Sequence, residues 1–597
     1  MSVGRAARAR GLAAGVPAVG ACTIAALAIA SSIAGLMNGF TYDDRPIILQ
    51  NPRLHHVGHL LRLWTETYWP PWMGAALYRP LSMSAFALEW WAGHGAPWIF
   101  HATNVLLYAA VAMLVLALAR SLLSARSAWV VAALFAVHPV HVEAVANIVG
   151  QSELWAAVGV LGAVVLYLRG RRAAMRADPA TRDGFGSAVG GTPRALAIVV
   201  LVAAACFSKE HAIIAPILLA LAEVECVNDE RPWSARWRVL RPLGLALLAV
   251  VVVYLAARAL VIGALPGDRP HVVLEHLTPI ARRWTALGIV PEWVRLFLWP
   301  ARLSAEYAPR DIVIYDHLTP ALLPALLLLV ALAVTFIVSV RRWRIGAFAL
   351  AWMAVTLVLV SNLVLMTGVL LAERTLFLPS VGAMLLVGAV IERLRIPGLG
   401  STPGPAAEHA GVPAGSPRVA PARAAVLAGA LGAVVLAGAW RSAVRQAVWR
   451  SNATLFAQAP LDAPLSYRAH DVFAGLLFDA GDLAGGEREA RTALALYPHD
   501  PVLARDLAHQ YIRAGLCRPA VPLLQQSVVE TGTMETDARL LLAECLLAAG
   551  DRAGARAQTL RGVADGQYAN YGPAYHRLLI AIDSAAAQPW PERRAGG

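Results

Sequence analysis

The sequence predicts an all-α protein: a polytopic helical membrane domain of about eleven spans over residues 1–440, then a soluble helical repeat domain over residues 441–597. Three observations carry this reading. Hydrophobic residues make up 58% of the chain and charged residues 15%, with mean hydropathy +0.57, more apolar surface than a soluble domain can bury. Basic residues gather in short segments between apolar runs, as membrane topology demands. Beyond Trp440 the character changes, and glycine-marked helix ends recur at a fixed spacing.

The apolar runs fall near 14–37, 101–119, 128–147, 153–168, 195–208, 211–224, 243–263, 319–340, 345–366, 375–392 and 423–440. Arg5, Arg8 and Arg10 precede the first. Arg120/Arg126, Arg169/Arg171/Arg172/Arg176, Arg231/Arg236/Arg238/Arg241, Arg341/Arg342/Arg344 and Arg393/Arg395 follow alternate runs. Placing all six groups inside gives a self-consistent map, with the N-terminus in and the C-terminus out. The first run resembles a signal peptide, but it is long and lacks a small-x-small site before Phe40, so it reads as an uncleaved span. Trp284–Trp299, with Arg295 and Glu292 among tryptophans, fits an interfacial or re-entrant helix. Pro397–Pro421 reads as a flexible inner linker. The net charge of +13 thus reports topology, and no aromatic-basic module points to nucleic acid.

In the tail, Gly481, Gly515 and Gly550 recur at intervals of 34 and 35 residues, and Pro498 and Pro501 mark a junction between units. A period of 34 with helix-turn-helix patterning is the tetratricopeptide signature, and three or four such units are near the minimum for a stable solenoid. Its concave face would suit an extended polypeptide. Cys22, Cys206, Cys226, Cys517 and Cys545 show no metal-ligand spacing. Cys517 and Cys545 can meet if their helices pack, but unpaired buried thiols are the expectation.

Lys209 is the sole lysine, and it sits with Glu210 inside an apolar stretch. Such a pair costs several kcal/mol in hydrocarbon unless it faces a polar cavity, so it marks a candidate site; the plainer alternative is an ion pair joining two helices. Asp43 and Asp44 follow the first span, where mutual repulsion can raise one carboxyl and leave a general base; a helix N-cap would need only one of them. Arg79 lies between Tyr78 and Pro80 and can hold a phosphate, among aromatic residues that otherwise read as interfacial anchors. His138 and His141 share a face at i, i+3, with Glu143 a turn on and Glu153 beyond; the spacing matches no standard zinc pattern and fits the lining of a polar cavity. Glu373 and Arg374 read as an ion pair at a helix entrance. All four clusters map to the outer face, which predicts a cavity opening outward.

The residues Thr41-Tyr-Asp-Asp44, Tyr78-Arg-Pro-Leu-Ser82, Phe100-His-Ala-Thr-Asn104, His138-Pro-Val-His-Val-Glu-Ala144, Lys209-Glu210, Leu298-Trp-Pro-Ala-Arg-Leu-Ser-Ala-Glu-Tyr307 and Ala372-Glu-Arg-Thr-Leu-Phe-Leu-Pro-Ser380 resemble the transmembrane-and-tetratricopeptide-repeat protein O-mannosyltransferases and their bacterial relatives. The match runs in order over nearly the whole chain and is specific for the GT-C glycosyltransferase superfamily, less so for the sugar. The resemblance implies a GT-C-type membrane fold in a bacterial cytoplasmic membrane, a polyprenyl-phosphate sugar donor such as a mannosyl carrier, and inverting transfer to a protein hydroxyl. It also implies a catalytic aspartate in the first outer loop, Asp43 or Asp44. Arg79, His138, His141, Lys209 and Arg374 would bind lipid phosphate or sugar, and Glu143, Glu153, Glu210 and Glu373 would orient them. No metal or other cofactor is expected, and the partners would be the lipid-linked sugar and an acceptor polypeptide or glycan docked on the tail. The chain departs from its relatives at Glu306, where an aspartate before tyrosine is common. Two other readings stay open: modification of a glycan or lipid with the repeats used for assembly, and a non-catalytic membrane scaffold.

Overall fold

The computed structural model describes residues 18–73, 77–176, 186–263, 274, 277–298, 300–310, 312–364, 367–394, 419–498, 501–530, 535–564 and 572–584. Arg5, Arg8, Arg10, Arg395 and most of the expected linker at Pro397–Pro421 lie outside them. The described residues form helices and no named strand.

The membrane unit comprises Met1–Ala305 and Ile314–Leu455, and the tail unit Glu306–Val313 and Phe456–Gly597. The first opens with α1 (Ala18–Ser32), α2 (Pro80–Gly93), α3 (Pro97–Leu122), α4 (Ala125–Ala136), α5 (Val142–Ala146), α6 (Gln151–Arg176), α7 (Thr192–Ser208) and α8 (Ala215–Cys226). It continues with α9 (Trp233–Ile262), α10 (Pro279–Gly288), α11 (Val290–Leu298), α12 (Leu323–Arg342), α13 (Arg344–Val358), α14 (Phe377–Arg393) and α15 (Val419–Val448). Seven described helices are long and apolar enough to cross a membrane, and α4 with the segment Pro139–Ala146, bent by 49°, forms a broken span or a re-entrant loop. The expected map of eleven spans also counts shorter apolar runs. The runs near 195–208, 211–224 and 345–366 do form helices, but α7, α8 and α13 have only 17, 12 and 15 residues. The interfacial segment is two short amphipathic helices, α10 and α11.

Local chemistry explains the boundaries that matter for the site. Pro139 forces His138 into an extended conformation (ψ 122°) and ends α4. Pro80 and Pro97 sit in the first turn of α2 and α3, where the missing N–H costs nothing. Helices α6 and α7 pack closely because Gly159 has no side chain: a Cβ there would lie 2.5 Å from the Leu201 carbonyl oxygen. Phe135, Phe348, Trp352 and Phe377 fill the core, and the Trp352 indole donates to the Leu378 carbonyl at 2.9 Å.

At the far end of α6, Arg171 and Arg236, read as loop charges, are instead buried. The Arg171 Nε and Nη2 donate to the Glu223 carboxylate at 2.8 Å each, Nη2 also reaches Asp229 at 2.7 Å, and Arg236 Nη2 meets Glu223 at 2.6 Å. Tyr167 Oη donates to the same carboxylate at 3.0 Å.

The tail continues through α16 (Asn452–Asp462), α17 (Tyr467–Asp479), α18 (Leu483–Leu496), α19 (Pro501–Arg513), α20 (Cys517–Glu530), α21 (Glu535–Ala548), α22 (Arg552–Ala564) and α23 (Gly572–Ser584). Three successive hairpins pair α17 with α18, α19 with α20, and α21 with α22. Each turns on a left-handed glycine, Gly481 (φ 85°), Gly515 (φ 76°) and Gly550 (φ 87°), which spares the Cβ clash there. Cys517 and Cys545 are joined in a disulfide between α20 and α21, Cα atoms 5.0 Å apart, correcting the expectation of two free thiols.

Candidate active site

The loop after α1 is fixed before its carboxylates are placed. Gly39 N–H donates to the Arg450 carbonyl at 2.9 Å, Asn38 Nδ2 to Gln446 O at 3.0 Å, and Tyr42 N–H to Asn452 Oδ1 at 2.8 Å. Tyr42 adopts a left-handed conformation (φ 51°), and the two aspartates after it enter different surroundings. Asp44 is fully buried, its Oδ1 accepting the Val149 N–H at 2.9 Å and its Oδ2 the Thr41 N–H at 3.2 Å. Burial, abetted by the Asp43 charge, pushes its carboxyl up to about 7 against the backbone donors of Val149, Thr41 and Ile148. Asp43 is half-buried and stands within electrostatic reach of Arg374.

Three cations, Arg79, Lys209 and Arg374, each stand at a helix end and are each held by a carboxylate. Arg79 caps α2 and grips Glu210 with two parallel bonds, Nε–Oε2 at 2.8 Å and Nη2–Oε1 at 2.6 Å. Its guanidinium lies 4.9 Å from the centre of the Tyr68 ring. Burial would raise the Glu210 carboxyl, but Arg79 holds it well below the usual carboxylate range. Lys209, in extended backbone after α7, donates to Glu153 in the first turn of α6, and the His211 Nε2 stands 3.4 Å from the same carboxylate. Burial lowers the affinity of Lys209 for its proton, and Glu153 opposes the change. Arg374 donates through Nη1 to Glu143 and through its backbone N–H to Glu143 Oε2 at 2.8 Å.

The structure therefore brings together Asp43, Arg79, Glu143, Glu153, Lys209, Glu210 and Arg374: Arg374 and Arg79 both sense Lys209, and Glu153 senses all three cations. Two expected pairings are exchanged. Glu210 serves Arg79 and leaves Lys209 to Glu153; Glu373, expected to pair with Arg374, instead accepts the Ser304 N–H at 2.6 Å. His138 and His141 are engaged with protein partners. His141 uses Nδ1 with Tyr108 Oη at 3.0 Å and Nε2 with Ser380 Oγ at 2.8 Å, packed between Phe135 and Phe377. His138 uses Nε2 with the Phe297 carbonyl at 3.1 Å and Nδ1 with the Val140 N–H at 3.3 Å. Both rings sit on a tight turn Pro139–His141 and brace it. Glu306 meets Arg468 at 3.5 Å within the tail unit.

Sequence reasoning missed a buried polar network behind the site. Gln151 Nε2 bridges Glu89 Oε1 at 2.9 Å and Asn104 Oδ1 at 3.0 Å, and Asn104 Nδ2 reaches the Val145 and Asn147 carbonyls at 3.1 and 3.2 Å. Burial pushes the Glu89 carboxyl up to about 8 against the donors Gln151 and Thr103. The signal was present: Glu89 is a lone acid in an apolar run, and Asn104 another polar group in a span. Together they set the first turn of α6, which carries Glu153.

Arginine offers five N–H donors and lysine three, so Arg79, Lys209 and Arg374 keep donors for an anionic ligand after serving their carboxylates. Fold and site define a multi-pass helical membrane protein with an ion-paired polar cluster built from separate loops and helix ends. Comparison with known proteins sharpens this class. The chain is 29% identical over 382 residues to Protein O-mannosyl-transferase TMTC3 of Mus musculus, covering 59% of this chain and 40% of that protein. It is 37% identical over 198 residues to Protein O-mannosyl-transferase Tmtc2 of Drosophila melanogaster, covering 31% and 19%. It is 23% identical over 382 residues to Protein O-mannosyl-transferase F38B6.6 of Caenorhabditis elegans, covering 62% and 51%. The chain is a relative of the TMTC proteins, as its motifs led us to expect, and it spans about half or less of the length of these relatives. No family model and no solved structure matches it.

Proposed function

We propose that this protein is an inverting GT-C-type glycosyltransferase that moves a sugar, mannose by its relatives' names, from a polyprenyl-phosphate carrier to a protein Ser/Thr hydroxyl on the extracytoplasmic face. The observation that carries the reading is the partly open Asp43 within electrostatic reach of Arg374, which together with Arg79 acts on Lys209. Asp43 accepts the proton of the acceptor hydroxyl as its oxygen attacks the anomeric carbon. The bond from that carbon to the phosphate oxygen breaks with inversion, and the polyprenyl phosphate leaves with the bonding electrons. Negative charge grows on the phosphate where the spare donors of the cations lie, so they stabilise the transition state more than the ground state. Asp44 is closed off by backbone donors, which supports Asp43 as the base and leaves Asp44 to position the loop. The side-chain cations supply the charge neutralisation, so the reaction is proposed to need no metal.

The hairpin array is proposed to be a tetratricopeptide domain that presents the acceptor, and its disulfide favours an oxidising, extracytoplasmic location. Full-length protein supplied with labelled polyprenyl-phosphate mannose and an extracytoplasmic protein extract tests the whole reading. Label should reach protein, chelation should leave the rate unchanged, and Asp43→Asn should lower it by at least about a hundredfold. Undiminished transfer by Asp43→Asn would sink the catalytic assignment.

A further inference from the structure

The first outer loop carries a second basic pocket that the proposed reaction does not use. Residues 52–66 run through three tight turns, Pro52–Leu54, Val57–His59 and Arg62–Thr65. Leu54 and Leu63 anchor them in a small core with Ile47, Ile48, Phe86 and Phe100. On the other side, Pro52, Arg53, His56, His59, Arg62 and Glu66 enclose a cavity of about 230 Å³. Arg53 is braced by Asn51 Oδ1 at 2.9 Å, the Thr67 carbonyl at 3.2 Å and Glu66 at 3.2 Å, yet its Nη2 is buried with no hydrogen-bond partner among the described residues. Glu66 also meets Arg62 at 2.7 Å, but Arg62 is 73% exposed, and an exposed pair of this kind is weak enough to be shared with another anion. Two guanidinium groups against one carboxylate leave the pocket positive.

A second observation concerns what lies beside the pocket. Leu61 is 87% exposed and Trp64 39% exposed, next to Arg62 and one turn from His59. The Trp64 ring lies 5.2 Å from that of Phe207, near the end of the apolar helix α7. Exposed leucine and tryptophan interleaved with arginine and histidine, directly after a membrane span, match the chemistry of the headgroup boundary: apolar groups enter the acyl edge while cations meet phosphate. A soluble phosphate would gain nothing from Leu61 or Trp64, whereas a lipid phosphate uses both.

We propose that this pocket is a lipid-phosphate site, in which Arg53 and Arg62, flanked by His56 and His59, hold the phosphate of a membrane lipid while Leu61 and Trp64 enter the bilayer beside it. The proposal does not depend on the transfer reaction, because binding can be read without a donor sugar. Full-length protein carrying phosphatidylglycerol, and separately polyprenyl phosphate, would be measured by native mass spectrometry, with inorganic phosphate as competitor. Occupancy should fall about fivefold in Arg62→Gln and further in Arg53→Gln/Arg62→Gln, by roughly one surface cation's contribution each. Arg62 braces no backbone, so its variant keeps the test valid if the Arg53 variant fails to fold. Leu61→Ser should also lower retention. The two lipids distinguish bulk headgroup from carrier, and retention of either by this pocket supports the proposal. Equal retention by wild type and Arg62→Gln overturns it, as does displacement by inorganic phosphate with Leu61→Ser silent.

Discussion

Asp43 and Asp44 are adjacent in the chain but differ in solvent and partners, and that difference supports the proposal of Asp43 as the base. Removing the Asp44 carboxylate orphans the buried N–H groups of Val149 and Thr41, so Asp44→Ala should cost about 1–3 kcal/mol of stability. The sign of the pH dependence follows from its raised folded-state pKa. Between the ordinary 3.8 and about 7 the native carboxyl holds a proton that the unfolded chain has released. Its contribution to stability is therefore full below about pH 4, declines as pH rises, and levels off above 7. Thermal unfolding of wild type and Asp44→Ala at a series of pH values should show the difference between them shrinking across that window. A difference that grows with pH would contradict the burial argument. In the sequence the acidic pair was legible as a pair, but the difference in surroundings was not: it depends on Val149, 105 positions away from Asp44. The same limit hid which carboxylate serves Lys209, since Glu210 is its neighbour in sequence and Glu153 its neighbour in space.

Helix α6 links two charged centres. Glu153 in its first turn belongs to the proposed reaction site, and Arg171, about 27 Å along the axis at 1.5 Å per residue, belongs to the buried network with Glu223. The second centre ties α6 to α8 and α9 and touches no proposed reacting group. Breaking a buried network by removing one partner is costly, because the remaining charges stay desolvated. Glu223→Gln should lower stability by about 3–5 kcal/mol while transfer per folded molecule stays near wild type. Chemical or thermal unfolding, paired with the transfer assay, would check both halves; loss of activity in stably folded protein would show that α6 couples the two centres. At this scale the sequence disclosed most helices, because apolar runs and Pro80, Pro97 and Pro139 mark them directly. The number of spans was less legible than the helices themselves, because hydropathy does not tell a short helix packed inside the bundle, such as α8, from one that crosses. The bonding of the histidines was hidden for a related reason: polar groups in apolar runs mark a cavity lining or a braced turn alike, and the partners Ser380 and Phe297 lie far off in sequence.

The chain falls into a helical membrane unit and a tail of helical hairpins, whose glycine turns recur at 34 and 35 residues, and the proposed function gives each unit its own task. Deleting residues 463–597 should abolish transfer to protein but leave transfer to a small hydroxyl acceptor, provided the shortened protein keeps its melting temperature. Equal loss on both acceptors would assign the tail to assembly. The side of the membrane on which the tail lies is testable through its chemistry. Cys517 and Cys545 are bonded, whereas Cys22, Cys206 and Cys226 are free. Disulfides persist in oxidising compartments and are reduced in the cytosol, so the state of this one pair in membranes from producing cells reports its compartment. Denaturing alkylation of such membranes should modify the three free thiols before reduction and all five cysteines after it. If all five were modified without reduction, the tail would lie on the reducing side, and an acceptor waiting on the extracytoplasmic face could not be presented by it. The closed 28-residue separation should also stabilise the tail by about 3 kcal/mol, by restricting its unfolded chain. Reductant should therefore lower the unfolding midpoint of the tail alone, while the membrane unit, whose three described thiols are free, unfolds as before.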